Sequence, residues 1–103
     1  MIYEIPLDSD NPDFSLKVTL DEKLYEISFK WNQRAERWLF GISLDEQVLL
    51  SGLPLVSNFP FLGPYQTRED MPEGSLMLVS KLDEPGRFSL GGEAKLYYRE
   101  PER

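Results

Sequence analysis

Apolar and polar residues alternate along much of the chain, and this pattern predicts strands rather than helices. In FSLKVTL, Phe14, Leu16, Val18 and Leu20 fall on one face, and polar side chains fall on the other. A period of two is typical of a half-buried β-strand. By the same criterion, strands are predicted within IYEI (2–5), VLLSGLPLV (48–56), SLMLVSKL (75–82) and EAKLYYRE (93–100).

The stretch YEISFKWNQRAERWLFGISL (25–44) contains two further alternating segments with a polar turn between them. A single antiparallel register that places Trp31 opposite Trp38 also pairs 29 with 40, 27 with 42 and 25 with 44. It closes the turn with Asn32 opposite Arg37. Cross-strand pairs of this kind contribute about 0.2–1 kcal/mol each, and a slip of one residue would expose the whole set. The hairpin is therefore predicted to be structural, with a core made of Tyr25, Ile27, Phe29, Trp31, Trp38, Phe40 and Ile42.

The regular alternation of apolar and polar residues ends after the next predicted strand (48–56). Gly52 predicts a β-bulge, and Pro54 predicts an edge strand or a strand end. The segment VSNFPFLGPYQTREDMPEG (56–74) then has no period but many prolines and aromatics. Loops of this length are usually functional or disordered. Two interpretations stay open, a partner-binding loop and a loop that folds back over the domain's own open end. The candidate partner contacts are Leu53, Phe59, Phe61, Leu62 and Tyr65, together with Arg34 and Arg37 of the hairpin turn.

About seven short strands at spacings of 8–12 residues indicate an all-β fold, a small antiparallel β-barrel or sandwich with one long loop rich in proline and aromatics. A length of 103 residues predicts a single β domain over 1–103. Residues 98–103 are expected to form the end of the closing strand and a frayed tail.

The amino-acid composition limits the kinds of ligand and reaction that are expected. Eighteen acidic and eleven basic side chains give a net charge of −7, which disfavours nucleic acid. Because the sequence contains no histidine and no cysteine, we expect no Ser–His–Asp triad, no thiolate catalysis and no zinc site built on these residues. No apolar run approaches eighteen residues and MIYEIPLDSD lacks a basic leader, so neither a membrane span nor secretion is expected.

Two short motifs contain residue types that are typical of ligand sites. DSDNPD fails the calcium-loop pattern, because Asp13 stands at the glycine position and Thr19 at the position of the bidentate glutamate. LGGEAK (90–95) lacks the spacing of a phosphate loop and precedes a strand. We therefore predict no catalytic, cofactor-binding or metal-binding residues, and no enzyme activity.

The order of the motifs resembles the small baseplate plug proteins of contractile-tailed bacteriophages, as in a cyanophage baseplate. The most specific element is W-N-x-R-x-x-R-W, from Trp31 to Trp38. Glu22 departs from the pattern, since a glycine is expected in that hairpin turn. The matching segments are YEIPL (3–7), FSLKVTLDEKLYEISFKWNQRAERW (14–38), SGLPLV (51–56), FPFLGPY (59–65), GSLMLVS (74–80) and LGGEAKLYY (90–98).

The resemblance implies a non-enzymatic virion structural protein of the tail baseplate, made in the host cytoplasm and located in the central hub or plug region. Implied partners are other tail proteins, namely hub, spike, tube or tape-measure and wedge proteins, with copies related by threefold or sixfold symmetry. The alternative is a free-standing β-barrel module that binds a small ligand or a peptide.

Overall fold

The strands form two antiparallel sheets that face each other. The computed structural model describes residues 2–7, 10–20, 22–60, 74–81 and 85–100. One sheet contains β2 (Asp13–Leu20), β3 (Lys23–Asn32), β4 (Arg37–Leu44) and β5 (Gln47–Pro54), in that order. The other contains β1 (Ile2–Ile5), β7 (Lys95–Arg99) and β6 (Ser75–Val79), with β7 in the middle. The all-β prediction is confirmed, and of its two forms the described strands adopt the sandwich, because the sheets do not close into a barrel.

The central hairpin has the predicted register. β3 and β4 pair Trp31 with Trp38 and Asn32 with Arg37, and the three inner pairs follow in the same register. At the preceding hairpin, Leu20 pairs with Lys23 across a two-residue turn in which Glu22 has a φ of 67°. This left-handed conformation favours glycine, which explains why a glycine is expected there.

β5 contains the predicted bulge. Phe40 pairs with Leu53 and Ile42 pairs with Leu50, so two residues of β5 stand opposite Gly41. Gly52 has a φ of 66°, a conformation that a side chain would strain. Pro54 ends the strand at an edge of the sheet, where its missing N–H breaks no ladder.

The core lies between the two sheets. Inward side chains of β3 and β4 are buried at Tyr25, Ile27, Phe29, Trp38, Phe40 and Ile42, whereas Trp31 is half-buried and packs against them. The three-stranded sheet contributes Ile5, Leu76, Leu78, Leu96 and Tyr98. Both layers supply apolar residues at alternate positions, as the period of two requires.

The chain crosses between the sheets along the outer edge of β6. Leu55 is buried, Ser57 forms a bridge with Leu78, and Pro60 forms a bridge with Met77. The described start of the long loop therefore covers an edge of its own sandwich. Phe61, Leu62 and Tyr65 lie outside the described residues. Within the described ranges, no helix has the length and apolar character needed to cross a bilayer.

Candidate functional site

Trp38 is the point at which three segments meet. Its indole is fully buried, with 0% of its surface exposed. Its carbonyl oxygen accepts a hydrogen bond from the Leu55 N–H at 2.9 Å, and its Nε1–H donates to the Gly86 carbonyl at 2.9 Å. The β3–β4 hairpin, the exit of β5 and the loop 85–90 are thus joined at one residue, through its backbone carbonyl and its indole N–H. We call the β3–β4 turn (33–37) and the loop 85–90 together the turn end.

Aromatic packing holds the turn end in place. The Trp38 ring lies 5.7 Å from Trp31 and 5.8 Å from Phe14, with interplanar angles of 67° and 76°. Edge-to-face contacts of this kind are favoured by the ring quadrupoles. The Trp31 Nε1–H donates to the Gln33 side chain at 3.1 Å, so this ring has its polar edge at the turn. The two tryptophans act as packing elements here.

Hydrogen bonds to one asparagine shape the turn itself. The Asn32 Oδ1 accepts from the Arg34 and Ala35 N–H groups, both at 3.1 Å. An asparagine that bonds its own backbone two or three residues on is a typical turn element. Arg34 is exposed and Arg37 is half-buried at the start of β4. A defined backbone therefore presents both arginines named by the sequence.

The loop 85–90 adds two residues that the sequence analysis missed. Phe88 is 75% exposed, and the Arg87 guanidinium carbon lies 4.6 Å from its ring centroid and 5.6 Å from that of Trp38. Such distances are within the range of cation–π contacts. The Gly86 N–H donates to the Ser89 Oγ at 3.0 Å, which tightens the loop. The sequence feature that could have indicated them is an arginine next to an aromatic residue, within turn-forming residues that lack the alternation of a strand.

The other candidate contact residues in the described ranges differ in exposure. Leu53 pairs with Phe40 and packs half-buried against the core. Phe59 is 50% exposed and follows Asn58, whose φ is 60°. The Asn58 side chain both donates to the Ser80 carbonyl at 2.7 Å and accepts from the Ser80 N–H at 3.2 Å. This clamp holds Phe59 at the surface beside β6.

Two carboxylates have defined local partners. Glu93 accepts hydrogen bonds from the Lys81 N–H at 2.6 Å and the Ser80 Oγ at 2.7 Å. These bonds, that from Lys81 first, lower the pKa of Glu93 because they stabilise its charged form. The Tyr3 hydroxyl donates to Glu100 at 3.0 Å, and this bond raises the pKa of Tyr3 by favouring the neutral phenol. Among the described residues, no group of three or more acidic, histidine or cysteine side chains is arranged to hold a metal ion.

Comparison with known protein families identifies a relationship that covers almost the whole chain. The model of a family described as "Cyanophage baseplate Pam3 plug gp18" matches residues 2–101. No curated protein matches the chain.

Proposed function

This chain belongs to the cyanophage baseplate plug family, and from that membership we propose that it is a non-enzymatic protein that joins or seals the central hub and the tail tube. Membership itself indicates a structural role in the tail baseplate of the virion, in contact with other tail proteins. The finer assignment, to hub, spike, tube or tape-measure and wedge partners, is our proposal, as are copies related by threefold or sixfold symmetry.

The observation that carries the proposal is the extent of the family match. It covers residues 2–101 of 103, so it includes both sheets and the loops between them. A match to one hairpin would be compatible with many β-proteins, since a fold alone does not define a function. A match over the whole fold supports the same role as the family.

We assign the turn end as a contact surface within the assembly. Arg34 and Phe88 are exposed, and Arg87 stacks on Phe88. Arginine and aromatic residues are enriched at protein interfaces, where they account for many binding hot spots. Phe59, exposed beside β6, is a second anchor residue. Arg37 and Leu53, which the sequence analysis named as contacts, are half-buried and would act mainly by holding the exposed residues in position.

Incorporation into tails tests this assignment. Phage carrying Phe88→Ser together with Arg34→Glu are compared with phage carrying Val48→Ser, an exposed apolar residue at the opposite end of the four-stranded sheet. Quantitative mass spectrometry of purified tails gives the copy number of the plug protein, and thermal melting of each isolated variant checks its fold. Loss of a hot spot costs 2 kcal/mol or more, so we expect roughly a thirtyfold weaker association for the double variant. Equal incorporation of the folded double variant and the control would show that the turn end does not contribute to the interface.

The alternative function, a free-standing ligand-binding or peptide-binding module, gives a different result in the same experiment. An unmodified chain that is made in infected cells but is missing from purified tails would favour that alternative. A copy number that is a multiple of three would instead agree with a position on the tail axis.

A further inference from the structure

The sandwich is open along one side. β1 and β2 are outer strands of their sheets, and no described strand pairs with their free edges. Between them lies a groove of about 830 Å³. Its floor includes Ile5, Leu20 and Tyr98, which are buried, and the half-buried Leu16 and Val18. On the other side of the sandwich, residues 55–60 cover the equivalent opening.

The outer edge of β2 presents to this groove backbone groups that pair with no other strand among the described residues. The Trp31 N–H donates to the Pro12 carbonyl at 2.7 Å, which makes these two residues a hydrogen-bonded pair of the β2–β3 ladder. Bonding directions alternate along an antiparallel strand, so every second residue of β2 after Pro12 faces β3. The N–H and C=O groups of Ser15, Lys17 and Thr19 therefore point away from β3, toward the open side.

The rim of the groove is acidic. Among the described residues that line it, Glu4, Glu22 and Glu100 are acidic and Lys17 is the one basic residue. The chain as a whole carries a net charge of −7. A second copy of this chain would bring like charge to like charge, whereas a segment with lysine or arginine would be attracted.

We propose that this groove binds an extended, basic segment of a neighbouring tail protein, which adds as a strand to the free edge of β2. The inference rests on the proposed function, because it assigns one partner contact within the baseplate. Backbone bonds to Ser15, Lys17 and Thr19 supply the pairing, and apolar side chains at alternate positions of the segment cover Leu16 and Val18. Strand addition to an exposed sheet edge is an established mode of peptide recognition.

Hydrogen exchange measured on the plug protein alone and in purified tails tests the proposal. In the isolated protein, the amides of Ser15, Lys17 and Thr19 should exchange quickly because they face solvent. In tails they should exchange at least about tenfold more slowly, as expected for amides that enter a ladder. The amides of Leu16 and Val18 bond to β3 in both states and serve as internal controls.

Each other outcome of the exchange experiment has a defined meaning. Slow exchange of the three amides in the dilute isolated protein would overturn the proposal, since another segment of the chain would then cover the edge. Slow exchange that appears only as the isolated protein is concentrated would overturn it in favour of a second copy. Presence in tails with unchanged exchange would overturn the strand addition and leave the proposed function intact. Absence from tails would instead contradict the proposed function.

A substitution pair separates backbone pairing from side-chain effects. Lys17→Pro removes the outward N–H at an edge position that tolerates proline, and Lys17→Ala keeps the N–H while removing the same charge. We expect the proline variant to melt within a few degrees of the alanine variant and to be incorporated into tails at least about tenfold less. Equal incorporation of the two variants would contradict pairing at this edge.

A peptide pair tests the charge of the occupant. An eight-residue capped peptide of alternating valine and lysine is titrated into the isolated protein, and the control peptide alternates valine and glutamate. The lysine peptide should slow exchange at Ser15, Lys17 and Thr19, with an effect that weakens as salt rises. Equal effects of the two peptides would overturn the basic character of the occupant.

Discussion

Replacing Trp38 with alanine should strongly destabilise the protein. The ring is completely buried, and an aromatic side chain buries about 150–250 Å². At about 25 cal/mol per Å² this is worth about 4–6 kcal/mol, close to the 3–5 kcal/mol typical of such truncations. A domain of this size has about 5–15 kcal/mol of total stability, so this one substitution would remove from roughly a quarter to all of it.

Two milder variants make the reasoning quantitative. Trp38→Phe keeps a ring but loses the Nε1–H bond to the Gly86 carbonyl, which still accepts from the Ser89 N–H at 3.2 Å. We expect a loss of about 1 kcal/mol, plus a smaller cost for the reduced ring. Trp31→Ala, at a half-buried position, should cost about half as much as Trp38→Ala.

Urea denaturation followed by far-ultraviolet circular dichroism is the appropriate assay, because each variant removes one of the two tryptophans and so changes the fluorescence signal itself. The slope of the transition also shows whether the variant still unfolds in one cooperative step. The reasoning is refuted if Trp38→Ala is no less stable than Trp31→Ala, since burial would then not determine the cost.

Two further predictions concern the turns and the carboxylates. Glu22→Gly should raise the free energy of unfolding by about 0.5–1 kcal/mol, because it relieves a left-handed φ of 67°, while Glu22→Ala should bring no gain; urea midpoints of the two variants decide this. Glu93→Gln should lower the melting temperature at neutral pH, because the charged form of Glu93 accepts the bonds from Ser80 and Lys81. Since folding lowers the pKa of Glu93, its contribution is present above the ordinary value of about 4.3 and is lost as the pH falls through the folded value. Melting curves of wild type and variant should therefore converge in acid, and a constant difference down to pH 2–3 would contradict the assignment.

Strand positions and the central register followed from local pattern because neighbouring strands in a hairpin are also neighbours in the chain. Trp31 and Trp38 are joined by a short turn, so their pairing required only alternation and a turn of the right length. The bulge at Gly52 and the strand end at Pro54 were predictable for a related reason, since glycine permits a left-handed backbone and proline lacks the N–H that a ladder needs, whatever their neighbours.

The sequence indicated only part of the contact surface that we propose. Arg34 and Phe59 stood out as exposed candidates because they occur in turn or loop sequence. Arg87 and Phe88 also occur in turn sequence, but their position could not be predicted, because it depends on a hydrogen bond between Trp38 and Gly86, which lie 48 residues apart. Leu53, another candidate from the sequence, lies in a strand opposite Phe40 and packs half-buried against the core.

The sequence by itself determined the class of fold, the hairpin register and, through an ordered set of motifs, the family. These depend on periodicity and on residues close together in the chain. The tertiary structure alone decided that the sheets form an open sandwich, that Trp38 joins three distant segments and that β1 and β2 flank an acidic groove. Which strands become edges depends on pairings between strands far apart in the chain, such as β1 with β7. How the two sheets stack is set by the sum of many weak contacts between distant residues rather than by any local pattern.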